Sequence, residues 1–139
     1  MADISASIRT RLTTDTAISA LVGQRVRSDA LRQDETLPAI VYRVITSTPY
    51  ESLGSPGDLM RSRVQVDSYG ITRADANSLA EKVRLRLHKF RGLVGTQFIK
   101  EISLVSGETH LVDRPQAGSD KRRFITTQDL YVLYQVPTS

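Results

Sequence analysis

The sequence predicts an α+β fold, with a mainly antiparallel sheet of about four strands, an N-terminal helix and one long central helix packed on that sheet. Two observations carry this prediction. In several segments apolar residues alternate with polar ones, which is typical of strands that have one solvent-facing side. Two pairs of such segments are separated by one with helical periodicity, an order that favours an antiparallel sheet with helices on one face.

The N-terminal region predicts a helix, a break and a second short helix. Apolar residues recur every four positions from Ile4 to Leu12, which gives one helical stripe. The threonine-rich stretch that follows is a poor helix interior because its hydroxyls compete for backbone hydrogen bonds. Asp15 can cap the second helix, and Gly23 can end it in a left-handed conformation. Residues 25–27 could form a short edge strand.

Four later segments predict the main strands. They are residues 39–47, 59–69, 97–106 and 124–136. The first and the last carry apolar residues on both faces, so we expect these two strands to be covered on both sides. Residues 48–58 contain two prolines and two glycines and predict a loop. Residues 107–123 predict a long polar loop, which is either mobile or ordered by a partner.

The central helix has the clearest signals in the sequence. Thr72 lies three residues before Asp75, a variant of the capping box with aspartate in place of glutamate. A stripe at helical spacing follows, made of Ala76, Leu79, Ala80, Val83 and Leu87. Basic residues crowd the C-terminal end, where they complement the helix dipole. Gly92 is the predicted stop.

Length and composition limit the class of protein. With 139 residues and 40% hydrophobic content, the chain fits a single globular domain spanning residues 1–139. It has no cysteine, and no apolar run approaches the roughly 20 residues that span a bilayer. The first twelve residues lack the apolar core of a secretory signal. We therefore expect a protein that folds in a cytoplasm and makes no membrane contact.

The sequence offers no convincing catalytic, cofactor or metal site. The two histidines, His88 and His110, lie at a helix end and in a predicted loop, where solvated surface roles explain them. Three carboxylates fall near one another in the sequence, Asp113, Asp120 and Asp129, but basic neighbours make charge balancing the simpler interpretation. No glycine-rich phosphate loop and no zinc-ligand spacing is present. We therefore predict a non-enzymatic protein without a cofactor.

A nucleic-acid-binding module is a weaker alternative. The formal net charge is +4, and the basic candidates are residues 121–123 and 91–100. Aromatic residues make up only 6% of the chain, too few for an extended stacking platform. Core packing explains the tyrosines in the predicted strands, which are Tyr42, Tyr69, Tyr131 and Tyr134. The apolar surplus on two strands instead suggests that other protein covers part of the surface, as in a head-to-tail ring.

The order of the elements resembles the tail-completion, or tail-terminator, proteins of long-tailed bacteriophages and of phage-like gene-transfer particles. The matching features are Leu21-Val22-Gly23, Leu37-Pro38 at the start of a strand, and Thr48-Pro49 after it. The strongest is RVQVD at residues 63–67, which runs into the helix with Thr72 and its apolar stripe. FITTQDLYVLYQV at residues 124–136 is similar to the closing strand of that family.

This resemblance implies a structural virion protein of the tail and neck, assembled in the host bacterial cytoplasm. It implies a ring, usually hexameric, that caps the tail tube, ends its polymerisation and joins the tail to the head connector. DNA would pass through the ring without specific binding. The implied partners are other copies of the chain, the tail tube protein and the head–tail connector or adaptor protein. A head-side connector or adaptor ring is the main alternative.

We expect two regions of the chain to contact partners. The first is the predicted tip at residues 48–58, and the second is the basic stretch at residues 113–123. The candidate contact residues are Pro49, Tyr50, Glu51, Leu53, Arg114, Lys121, Arg122 and Arg123. The tip would reach a neighbouring ring, whereas the four basic residues would pair with carboxylates of a partner.

Overall fold

The computed structural model describes residues 4–32, 34–50, 59–105, 107–113 and 122–136. Its helices are α1 (Ile4–Thr13), α2 (Thr16–Val22) and α3 (Arg73–Leu87). Its strands are β1 (Val26–Ser28), β2 (Ala39–Tyr50), β3 (Leu59–Gly70), β4 (Gly92–Val94), β5 (Gln97–Leu104), β6 (Thr109–Asp113) and β7 (Arg123–Gln135). None of the helices in these ranges is both long enough and apolar enough to cross a membrane.

Within the described residues the strands form one sheet of seven strands in the order β1-β2-β3-β7-β5-β4, with β6 also paired to β7. The sheet is mixed, because β1 runs parallel to β2 while the other neighbouring pairs are antiparallel. The predicted architecture, a mainly antiparallel sheet of about four strands with two helices, is therefore wrong. The strands that were not predicted, β4 and β6, have three and five residues, too few for alternation to identify them.

All three helices pack on one face of the sheet and enclose the main core. The helices contribute Ile8, Leu12, Ile18, Val22, Leu79, Val83 and Leu87, all of them buried. The central strands contribute side chains of matching parity, among them Ile40, Val64, Val66, Ile102, Leu130 and Val132. Because successive side chains of a strand point to opposite faces of the sheet, every second side chain of each strand lies on the face away from the helices.

The predicted helix signals are confirmed where they involve capping. The Asp15 carboxylate accepts a hydrogen bond from the backbone N–H of Ile18 at 3.0 Å and so begins α2. The whole predicted stripe of α3 is buried. The end of α3 was predicted wrongly, because the helix stops at Leu87 and Gly92 belongs to β4. Lys89 takes the left-handed conformation at φ 65° that a glycine usually provides after a helix.

Replacing the cap of α3 should measurably destabilise the protein. The Thr72 hydroxyl accepts the backbone N–H of Asp75 at 3.1 Å. We expect Thr72→Ala to lower the free energy of unfolding by about 1 kcal/mol, because that N–H loses its partner at the helix start. The measurement is urea unfolding followed by circular dichroism. Ser78→Ala, on the exposed side of the same helix, is the matched control and should change stability by less than about 0.5 kcal/mol.

Two segments predicted as loops are partly strands. β2 continues through Pro49 and Tyr50, and it pairs with β3 up to the contact of Tyr50 with Leu59. The register of β2 against β3 is irregular between Val44 and Thr46, which accommodates Ile45. Pro49 is tolerated in β2 because β1 does not extend that far along the strand.

The long polar segment contains β6, which a side chain of α3 fastens to the sheet. The Arg73 guanidinium donates to the carbonyl of Leu111 at 2.7 Å and to that of Ile125 at 2.8 Å. One arginine thus joins α3, β6 and β7. A positive charge at the start of a helix interacts unfavourably with the helix dipole. We therefore attribute the presence of Arg73 at this position to its hydrogen bonds with the two carbonyls.

Candidate interaction site

The face of the sheet away from the helices, which we call the open face, has three parts that differ in chemistry. At one end a second apolar cluster is formed by Val41, Tyr69 and Ile125, with Leu31 and Leu37 packed against it. The chain itself covers this end, since Leu31 and Leu37 belong to the segment before β2. The prediction that β2 is covered on both sides is therefore correct only for its first residues.

The middle of the open face carries a buried ion pair. Asp67 is 6% exposed, and its carboxylate accepts from the Arg43 guanidinium at 3.0 Å and from the Thr127 hydroxyl at 2.7 Å. A second pair lies beside it, where Arg63 donates to Asp129 at 3.1 Å. The strand pattern predicts outward-facing polar side chains here. In the structure these side chains form ion pairs and hydrogen bonds with one another across neighbouring strands, so they contribute to the stability of the sheet.

At the far end of the open face the described residues form a cleft. The six residues that line it are Tyr50, Arg61, Glu101, Ser103, Tyr131 and Leu133, around a volume of about 120 Å³. The register explains their meeting, because Arg61 lies opposite Leu133, and Leu133 opposite Glu101, on three adjacent strands. The Arg61 guanidinium lies 4.2 Å from the centre of the Tyr131 ring and 6.0 Å from that of Tyr50. We call these six residues the Arg61 cleft.

The structure brings one of the predicted contact residues into this cleft. Tyr50 ends β2, is 37% exposed and lines the cleft, with Pro49 beside it. Glu51 and Leu53 lie outside the described residues. The sequence did not single out Arg61, and it assigned Tyr131 to the core although that ring lies on the open face. Alternation indicates that Arg61 faces outward, but the neighbours of a residue across the sheet depend on strand order.

The predicted basic contact residues are located in different surroundings. Arg122 is exposed just before β7. Arg123 contacts other parts of the chain, since its guanidinium donates to the carbonyl of Arg32 at 2.9 Å and lies 5.4 Å from the centre of the Tyr69 ring. Arg114 and Lys121 lie outside the described residues. Of these four residues the structure describes Arg122 and Arg123, and neither lines the Arg61 cleft.

The residues considered for catalysis have structural contacts. The Nδ1 atom of His88 accepts the backbone N–H of Leu104 at 3.3 Å and thereby links the end of α3 to β5. His110 lies on β6, with its Nδ1 atom 3.4 Å from the Arg73 guanidinium. Asp129 is engaged by Arg63. Among the described residues no group of histidine and carboxylate side chains is placed to hold a metal ion.

Charged side chains on the helix side carry the shifted pKa values. Burial lowers the pKa of Arg11, the nearby charge of Arg86 lowers it further, and Asp15 opposes both effects. The Arg11 guanidinium lies 3.7 Å from the centre of the Phe90 ring, which replaces part of its hydration. A hydrogen bond from Arg84 lowers the pKa of Glu81 on the exposed side of α3. Arg11 is therefore a half-buried side chain held against Phe90, whereas Glu81 and Arg84 form an ion pair on the surface of α3.

The fold also occurs in a phage-like particle. A chain in the structure "Virion of native gene transfer agent (GTA) particle" is similar to this chain with a TM-score of 0.61, 15% sequence identity and coverage of 94% of each chain. At this identity the similarity establishes the fold alone. No curated protein matched the sequence.

The family is established by the sequence. The model of the family described as "Tail completion protein gp17" matches residues 6–117, which is most of the chain. The chain therefore belongs to the tail completion protein gp17 family, and the resemblance found in the sequence is confirmed. It is a structural protein of the bacteriophage virion, and more specifically of the tail. Its place in the virion implies assembly with other virion proteins.

Proposed function

We propose that the protein forms a hexameric ring that caps the tail tube, ends the polymerisation of that tube and joins the tail to the head connector. The observation that carries the proposal is the family match over residues 6–117. The protein acts through contacts and catalyses no reaction. It is assembled in the host bacterial cytoplasm and occupies the neck of the particle.

The form of the sheet supports a ring of identical subunits. In the described part of the chain, residues 43–50 of β2 have β3 as their one neighbouring strand, and β6 has only β7. The sheet thus presents two different edges. Rings close when one patch of a subunit meets a different patch of its neighbour. Pro49 and the irregularity at Ile45 hinder further strand pairing along β2, so contacts between side chains are the expected kind at this edge.

The two predicted contact regions have separate roles in this proposal. Pro49 and Tyr50 end β2, Glu51 and Leu53 follow them in the sequence, and these four residues contact a neighbouring ring in this proposal. Arg114, Lys121 and Arg122 pair with carboxylates of a partner protein. Arg123, the fourth basic residue of the predicted region, also contacts Arg32 and Tyr69 within the chain. DNA passes through the ring without specific binding, and the basic residues lie away from the lining.

Native mass spectrometry over a range of protein concentrations tests ring formation. We expect a closed sixfold species, either from the protein alone or after addition of purified tail tubes as template. Arg122→Glu should weaken that species about tenfold, because a reversed charge repels partner carboxylates. Arg9→Glu, on α1 at the helix side, is the matched control and should leave it unchanged. A protein that stays monomeric with and without tubes would contradict the ring.

The position in the particle needs a separate measurement. Antibody labelling of isolated tails and isolated heads should place the protein at one end of the tail, and particles made without it should carry tails of uncontrolled length. Labelling of heads alone would favour a head-side connector or adaptor ring. A band shift with duplex DNA that weakens steeply with salt would favour the nucleic-acid-binding alternative.

A further inference from the structure

We propose that the Arg61 cleft is a docking site for a carboxylate side chain presented by a neighbouring protein. The inference deepens the proposed function and rests on it for one point, that the neighbour is a virion protein. The binding chemistry itself follows from the contacts of the cleft. It can be tested on the isolated protein whether or not a ring forms.

The main argument is a difference between three arginines on one face of the sheet. Arg43 and Arg63 each have a carboxylate partner within the chain, Asp67 and Asp129 respectively. Arg61 lies on the same strand as Arg63, but within the described residues its guanidinium contacts two tyrosine rings and no carboxylate. Its five N–H donors are therefore positioned by stacking and remain available to an acceptor.

The composition of the cleft is typical of a protein contact. Tyrosine and arginine, together with tryptophan, are enriched among the residues that dominate binding energy at protein interfaces. Stacking reduces the rotamer freedom of Arg61 before a partner arrives, so less entropy is lost when it binds a carboxylate. Leu133 and the exposed edge of Tyr50 provide apolar surface beside the charge. A partner segment with an acidic side chain next to an apolar one fits this arrangement.

Two other kinds of occupant fit less well. A volume of about 120 Å³ is well below the roughly 300–1,000 Å³ of small-molecule sites. The carboxylate of Glu101 lies in the wall of the same cleft and repels a phosphate backbone, whereas a short protein segment can place its own acid on Arg61 and turn its remaining length away.

Nuclear magnetic resonance titration of the full chain tests this proposal with two tripeptides, acetyl-Leu-Glu-Leu-amide and its neutral counterpart acetyl-Leu-Gln-Leu-amide. We expect the first to shift the Arg61 Nε–Hε signal and the ring signals of Tyr50 and Tyr131 in a saturable way. The neutral peptide should bind about fivefold more weakly. Raising the salt concentration from about 0.05 M to about 0.5 M should remove most of that difference.

Variants assign the effect to Arg61. Arg61→Ala and Arg61→Gln should each abolish the preference for the acidic peptide, and because Arg61 is exposed neither change should disturb the fold. Arg61→Lys should retain part of the preference, since it keeps the charge without the planar stack. Arg9→Ala should behave as the wild type. Signal shifts on concentrating the protein alone, absent in Arg61→Ala, would support the proposal and identify a second copy as the partner.

Three results would overturn it. Equal binding of the two peptides by the wild type would show that the cleft does not select a carboxylate. A preference that persists in both Arg61→Ala and Arg61→Gln would place the acidic site elsewhere. A short DNA duplex that moves the same signals more strongly than the acidic peptide would replace the protein partner with nucleic acid. None of these results depends on whether a sixfold species exists.

Discussion

Gly70→Ala is expected to destabilise the protein by about 3 kcal/mol, because the strand-to-helix junction leaves no space for a Cβ atom. A Cβ built on Gly70 would lie 2.6 Å from the backbone nitrogen of Ala76 and 2.9 Å from Cβ of Asp75. The first of these atoms belongs to the backbone of α3 and cannot rotate away. To relieve the contact, α3 would have to move relative to the end of β3 and disturb the core that both elements share.

The measurement is the free energy of unfolding from urea titration at one fixed protein concentration, since self-association would add to apparent stability. Gly107→Ala is the matched control. A Cβ there meets no described atom within 4 Å, and Gly107 does not have a positive φ. We expect this control to change stability by less than about 0.5 kcal/mol. A Gly70→Ala variant as stable as the control would mean that the junction adjusts by a small shift of α3.

The sequence predicted most where a local pattern determines the structure. The cap at Thr72 and the buried stripe that follows it define the start and the inner face of α3 without help from distant residues. The long strands β2, β3 and β7 were also predicted from local patterns, because β3 alternates polar with apolar residues and the other two are long segments with apolar residues on both faces. β6 has no such signal, because its apolar residues Leu111 and Val112 are both exposed and it depends on Arg73 for its position.

The candidate site could not be predicted because it depends on strand order. β7, the last strand of the chain, lies between β3 and β5 and joins two hairpins that are separate in sequence. That insertion places Tyr131 next to Arg61 and brings Glu101 to the same cleft. Local periodicity indicates which face each side chain is on. It does not indicate which strands are neighbours, since that follows from packing of the whole chain.

The same strand order buries Asp67 between β2 and β7, and replacing this residue is the second change for which we expect a large loss of stability. We expect Asp67→Ala to lower the free energy of unfolding by about 2 kcal/mol, because it removes the acceptor of the Thr127 hydroxyl and the carboxylate partner of Arg43, which keeps Gln65 and the Asp29 carbonyl as acceptors. The full cost of breaking a buried pair does not apply, since the Arg43 side chain is 28% exposed and water can reach it. Asp67→Asn keeps an oxygen for Thr127 and should cost about 1 kcal/mol.

An exposed ion pair serves as the control for this series. Asp34 lies 3.4 Å from Arg32, and both side chains are more than 70% exposed, at 77% and 73%. Asp34→Ala should therefore change the free energy of unfolding by less than about 0.5 kcal/mol in the same urea titration. If Asp67→Ala cost no more than Asp34→Ala, solvation of Arg43 would have replaced the carboxylate. The middle of the open face would then be a second polar surface open to partners, whereas a cost near 2 kcal/mol would mean that Arg43 is held by Asp67 and is not available to a partner as Arg61 is.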